Sequence, residues 1–81
     1  MDMRRLVGSN VKALRLAKGW TQEEFAVRSG FTQQYISGLE SGHRNPTIVS
    51  LFELAQALET TPVALLTPTR TERGSQPPAG P

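Results

Sequence analysis

The sequence predicts an all-α fold of five helices, and three observations carry that prediction. Apolar residues recur at helical spacing through residues 1–66, a Ser/Thr/Asp-type cap stands before each such run, and no stretch alternates in the period-two manner of a strand. Eighty-one residues, 37% of them hydrophobic, are enough for one small domain with a thin core.

The first helix is expected to start near Asp2 and run to about Lys18, on a stripe of Leu6, Val7, Val11 and Leu14. Gly8 inside it is a local weakness of about 1 kcal/mol against alanine. Gly19 suits the position just past the helix, and Trp20 is expected to plug the gap between the first two helices. Thr21 and Glu24 have the T-x-x-E spacing of a capping box, which opens a second helix carrying Phe25, Ala26 and Ser29. Gly30 then supplies the positive φ of a sharp turn, with Phe31 packed beside it. Thr32 caps a third helix whose inward stripe is Phe31, Ile36 and Leu39, and Gly42 ends it. His43-Arg44-Asn45-Pro46 is a polar loop that proline closes to further helix. Thr47 caps a fourth helix with a wide apolar face of Ile48, Leu51, Phe52, Leu54, Ala55 and Leu58. Thr61-Pro62, a cap followed by proline at the first helical position, opens a short fifth helix through Val63, Leu65 and Leu66. The expected organisation is a domain over residues 1–66, organised on the motif 21–42, and a disordered tail over 67–81, where four prolines fall in fifteen residues without apolar periodicity.

Several function classes drop out. Without cysteine there is neither a disulfide framework nor a cysteine-based zinc site. No apolar run has the length of a membrane span, and MDMRRLVGSN lacks the apolar core of a signal peptide, so a cytoplasmic protein with no membrane partner is expected. Catalysis finds no support: His43, the one histidine, has no partner motif, and the adjacent Glu23 and Glu24 point about 100° apart on a helix. No cofactor and no metal is implied. The net charge of +2 is uninformative by itself, but Arg4, Arg5, Lys12, Arg15 and Lys18 crowd the first helix.

The third helix is the informative element. Gln33, Gln34, Tyr35, Ser37 and Gly38 lie away from its apolar stripe, and no acid is among them. Carboxamides near a helix N-terminus can bond in bidentate fashion to adenine N6 and N7. The free amides at the helix starts Gln22 and Thr47 suit phosphate oxygens. Tyr35 is either a phosphate or thymine-methyl contact or a half-buried aromatic cover.

The ordered set Gln22, Ala26, Gly30, Ile36 and Leu39, flanked by LRLAKGWTQEEFA and YISGLESGHRNPTIVSLFELAQAL, resembles the helix-turn-helix of phage-repressor (Cro/repressor-like, XRE-type) regulators over about residues 4 to 66. The resemblance implies sequence-specific binding of double-stranded DNA by a small transcriptional regulator, and extends to the restriction-modification controller proteins as a subgroup. It implies base reading by Gln33 and Gln34, with Thr32, Ser37 and Gly38 in neighbouring slots. Gly38 departs from the long polar reader frequent there, which would leave fewer bases read or let the DNA backbone approach. Gln22, Arg44 and Asn45 match positions that grip phosphates, and Arg15 with Glu40 matches an ion pair joining the first helix to the recognition helix.

One recognition helix spans about four to five base pairs, so the family solution is a homodimer on a two-fold site. Its interface is expected from Val63, Leu65 and Leu66 of the fifth helix with Val49 and Phe52 of the fourth. The alternatives are an antitoxin-like protein that binds a toxin and its own operator, and a protein-interaction adaptor that retains the fold.

Overall fold

The structure is a computed structural model that describes residues 2–68. Its elements are α1 (Met3–Ala17), α2 (Gln22–Ser29), α3 (Gln33–Glu40), α4 (Ile48–Ala57) and α5 (Pro62–Leu66), and no strand occurs among the described residues. The tail expected to be disordered lies, from residue 69 on, outside the described residues.

Every helix starts where a short oxygen-bearing side chain turns back on the backbone. Asp2, Thr21, Thr32, Thr47 and Thr61 are extended, and their side chains accept from the N–H groups of Arg4, Glu24, Tyr35, Ser50 and Ala64. Each such cap contributes on the order of 1 kcal/mol. At Thr21 the box is complete, since Thr21 N–H also donates to Glu24 Oε1 at 2.8 Å. Gly30, at φ +85°, makes the turn between α2 and α3 in a conformation that side chains resist. The end of α4 has no such glycine. Glu59 takes φ +60° there, while the N–H groups of Glu59 and Thr60 donate to Gln56 and Ala55.

The core gathers Val7 and Val11 of α1, Phe25 and Ala26 of α2, Ile36 and Leu39 of α3, Leu54 and Ala55 of α4, Leu58, and Leu65 of α5. α1 packs against both α3 and α5, and α2 lies between α3 and α4. Trp20 is half-buried and stacks on Phe25 at 6.1 Å between centroids, with the Arg28 guanidinium 4.5 Å above its ring. It is a lid on the core with a cation over its outer face rather than a buried plug.

Three expectations need correction. Gly8 is more than a weak point of α1: a Cβ built there would sit 2.1 Å from the Leu39 carbonyl oxygen, so the backbones of α1 and α3 meet at this glycine. The apolar face of α4 is narrower than its sequence suggests, because Ile48 is 84% and Phe52 50% exposed while Leu54, Ala55 and Leu58 are buried. Leu65, placed above in a dimer interface, is 0% exposed in the single chain and belongs to the core. In a one-turn helix pressed on α1 and α4, one leucine must face inward, and the sequence pair Leu65-Leu66 does not say which.

Candidate nucleic-acid interface

The exposed side of α3 begins at its cap. Thr32, Gln33 and Gln34 are exposed, Ser37 and Gly38 half-buried, and Ile36 and Leu39 fully buried beneath them. Alternate burial of this kind follows from helical periodicity, with the i, i+3 residues inward and the amides outward.

Behind these amides runs a hydrogen-bonded chain of side chains. Arg15 Nε donates to Glu40 Oε2 at 2.7 Å and Arg15 Nη2 to Glu40 Oε1 at 3.0 Å. Arg15 Nη1 donates to the Trp20 carbonyl at 2.7 Å, so the guanidinium also fixes the loop that leads into α2. Gln22 Nε2 donates to the same Glu40 Oε1 at 3.0 Å. Gln33 Nε2 in turn donates to Gln22 Oε1 at 2.9 Å. The pattern assigns both amide orientations, because a carboxylate accepts only and therefore faces the Gln22 nitrogen. Gln33 is left with one free N–H and its carbonyl oxygen, a donor and an acceptor side by side. That pair is what the adenine edge requires.

Gln22 therefore has less to offer a phosphate than its sequence position implies. One of its N–H hydrogens and one of its oxygen lone pairs are engaged within the domain, and the remaining N–H is what an outside acceptor can use.

At the other end of α3 the gap above Gly38 is filled. A Cβ there would lie 3.0 Å from Arg44 Nε and 3.3 Å from Arg44 Cγ, so the arginine stem lies across the glycine. The space foreseen for an approaching DNA backbone is thus occupied by a cation. The Arg44 guanidinium also stands 5.4 Å from the Tyr35 ring, which stacks on Phe31 at 4.8 Å. Tyr35 is a half-buried aromatic cover whose outer face supports Arg44. Asn45 is exposed in the same loop, and Thr47 caps α4, with its hydroxyl accepting from Ser50 N–H. Of these loop residues it is Arg44 that lies against α3.

Sequence reasoning missed Asn10, which is 1% exposed and reaches from α1 to the end of α5. Its place four residues after Leu6 and three after Val7, on the apolar face of α1, was the available signal. Among the described residues no cluster of His, Cys, Asp or Glu has the geometry to hold a metal, and no helix is long and apolar enough to cross a membrane.

Residues 11–65 match the family model described as helix-turn-helix, HTH_3. The HTH-type transcriptional regulator y4dJ of Sinorhizobium fredii is 64% identical over 69 residues, which cover 85% of this chain and 90% of that protein. The control protein C.SmaI of Serratia marcescens is 37% identical over 67 residues, 83% of this chain and 80% of that one. Among solved structures, the restriction-modification controller protein C.Esp1396I, crystallised as a tetramer with its natural 35 base-pair operator, superposes with a TM-score of 0.73 at 38% identity. The superposition covers 80% of this chain and 86% of that one.

Proposed function

This chain belongs to the helix-turn-helix (XRE-type) family of transcriptional regulators, and from that premise we propose that it binds a two-fold DNA operator as a homodimer. The observation that carries the reading is Gln33, an exposed amide at the start of α3 whose orientation is set from behind by Gln22, Glu40 and Arg15. A base-reading group must be held in register before contact, because each freely rotating side chain loses entropy on binding. Gln33 and Gln34 read base edges, with Thr32 and Ser37 alongside them. Arg44, Asn45, the helix start at Thr47 and the free N–H of Gln22 hold phosphates on either side, with Tyr35 supporting Arg44. Such phosphate contacts fix the register but carry no sequence information.

The surface that joins two copies is formed by Val49, Phe52, Val63 and Leu66, which are 64%, 50%, 70% and 39% exposed on α4 and α5. Related controller proteins supply a precedent, since C.Esp1396I is described as a tetramer on its operator. The protein acts in the cytoplasm by binding and does no catalysis, as befits a family of regulators.

Selection of bound sites from a random duplex pool tests the reading. An inverted repeat with half-sites about one helical turn apart, 10–10.5 base pairs, or a multiple of it, is expected. Recovery of unrelated sequences, or affinity insensitive to salt, overturns it.

A further inference from the structure

We propose that Asn10 is the positioning residue of the dimer surface: it fixes α5 to α1 and so sets the angle at which two copies meet. This rests on the homodimer reading above. α5 has only five residues, too few to be stable by its own hydrogen bonds. The last carbonyls of a helix have no partner within it, and here no glycine follows to turn the chain back, since Thr67 is extended at φ −110°. Asn10 supplies what the local sequence lacks. Its Nδ2 donates to the Leu65 and Thr67 carbonyls at 2.9 Å each, with the Ala64 carbonyl at 3.4 Å. Both amide hydrogens are engaged, all at the C-terminal end of the helix that presents Val63 and Leu66.

The other half of this amide carries a cost that its hold on α5 must outweigh. Asn10 Oδ1 is buried and has no hydrogen-bond donor among the described residues. A buried acceptor without a donor costs stability, and an apolar residue of similar size would avoid that cost on a face that already carries Leu6, Val7 and Val11. What such a residue would lose is the two-pronged hold on α5.

The placement also links the two ends of the mechanism. α1 meets the recognition helix backbone at Gly8 and through Arg15, and meets the dimer helix through Asn10, which lies between them in sequence. One helix therefore holds both the part that reads DNA and the part that meets the second copy. In a two-fold complex the distance between recognition helices must match the groove repeat, so an α5 free to tilt on α1 weakens the match even with every reading residue intact.

The test uses the full chain, its Asn10→Val and Asn10→Ser variants, and two duplexes carrying one or two copies of the selected half-site. Sedimentation equilibrium measures dimerisation, and titration measures binding to each duplex. Asn10→Val keeps an apolar core and is expected to hold half-site affinity within about twofold, while its dimer dissociation constant rises about tenfold or more. Asn10→Ser, too short to span to α5, is expected to do the same. Unchanged dimerisation in a variant that still binds the half-site overturns the inference. Loss of half-site binding in both variants overturns it as well, because Asn10 is then a residue on which the whole domain depends. A native chain that stays monomeric at micromolar concentration fails the homodimer reading itself, before any variant is made.

Discussion

Glu40 holds Arg15 in a two-pronged ion pair whose side chains are only 3% and 8% exposed, at N–O distances of 2.7 and 3.0 Å. A charge pair so far from water draws its value from geometry, since each ion has lost its hydration. Glu40→Ala leaves the Arg15 guanidinium without its counter-charge and should destabilise the domain by about 3–5 kcal/mol. In a double-mutant cycle with Arg15→Ala the two positions should couple by well over the 0–1 kcal/mol of an exposed pair. Additive losses in chemical denaturation would reduce the pair to two independent residues.

The same carboxylate accepts from Gln22, and Gln22 accepts from Gln33, so the amide proposed to read bases and the buried ion pair share one network. Gln33→Ala removes the end of that chain and leaves the buried part intact. It should keep the native denaturation midpoint, weaken operator binding by about 1–3 kcal/mol, and relax the preference at one base position. Gln22→Ala should leave the preference in place but weaken it, because Gln33 is then free to rotate. Binding-site selection with both variants separates the two outcomes, and an unaltered profile for Gln33→Ala removes it from the reading surface.

Gly8→Ala is expected to destabilise, opposite in sign to the usual gain when a helix glycine becomes alanine. The new Cβ would meet the Leu39 carbonyl oxygen at 2.1 Å, and that atom is backbone at the end of the recognition helix. α1 and α3 must move apart, at a cost of about 1–3 kcal/mol for overpacking. Thermal denaturation gives the sign, and a raised midpoint would show that the two helices separate without loss.

These cases mark what a sequence displays. The five helix starts were legible because capping is local: an oxygen-bearing residue, then the run it caps. The outward face of α3 was legible too, since Gln33 and Gln34 stand off the stripe formed by Ile36 and Leu39. What stayed hidden depends on residues far apart in the chain. Gly8 is understood only when Leu39 is beside it, Asn10 only when α5 is, and Gly38 only when Arg44 lies across it. The choice between Leu65 and Leu66 turns on how a five-residue helix sits on its neighbours, a tertiary decision with no local signal.

Glu59 shows strain in a place where glycine is the common answer. It has φ +60° just after α4, and its carboxylate accepts from Lys18 Nζ at 2.6 Å. The Lys18 hydrogen bond and charge hold that carboxyl below the usual carboxylate range. A lowered folded-state pKa means that the pair stabilises above the unfolded pKa and loses its effect as pH falls through the folded one. Glu59→Gly relieves the left-handed backbone but removes the pair, which is exposed and screened by salt. The variant should therefore melt higher than the native chain, and its advantage should widen in acid and in high salt. Calorimetry at neutral and acidic pH checks both; an advantage that shrinks in acid would mean that the ion pair opposes folding.

The dimer surface is the last and most consequential test, and burial decides where to make it. Leu65 is 0% exposed, so Leu65→Glu should unfold the domain and say nothing about association. Val63 and Phe52, at 70% and 50% exposed, are positions at which a charge falls largely outside the core. Each side chain of this size contributes about 1.5–3 kcal/mol when fully buried, so two such groups from each copy support a modest dimer. Placing glutamate at both positions adds like charges across a two-fold axis, where each residue faces copies of the same surface. The double variant should melt near the native temperature, sediment as a monomer at micromolar concentration, and bind a single half-site as the native monomer does. It should lose the added affinity for a two-half-site duplex, because the second recognition helix is no longer carried to the next major groove, about 34–36 Å away. A variant that remains dimeric would move the interface off α4 and α5. One that is monomeric yet keeps the full preference for the two-fold site would show that DNA alone brings the copies together.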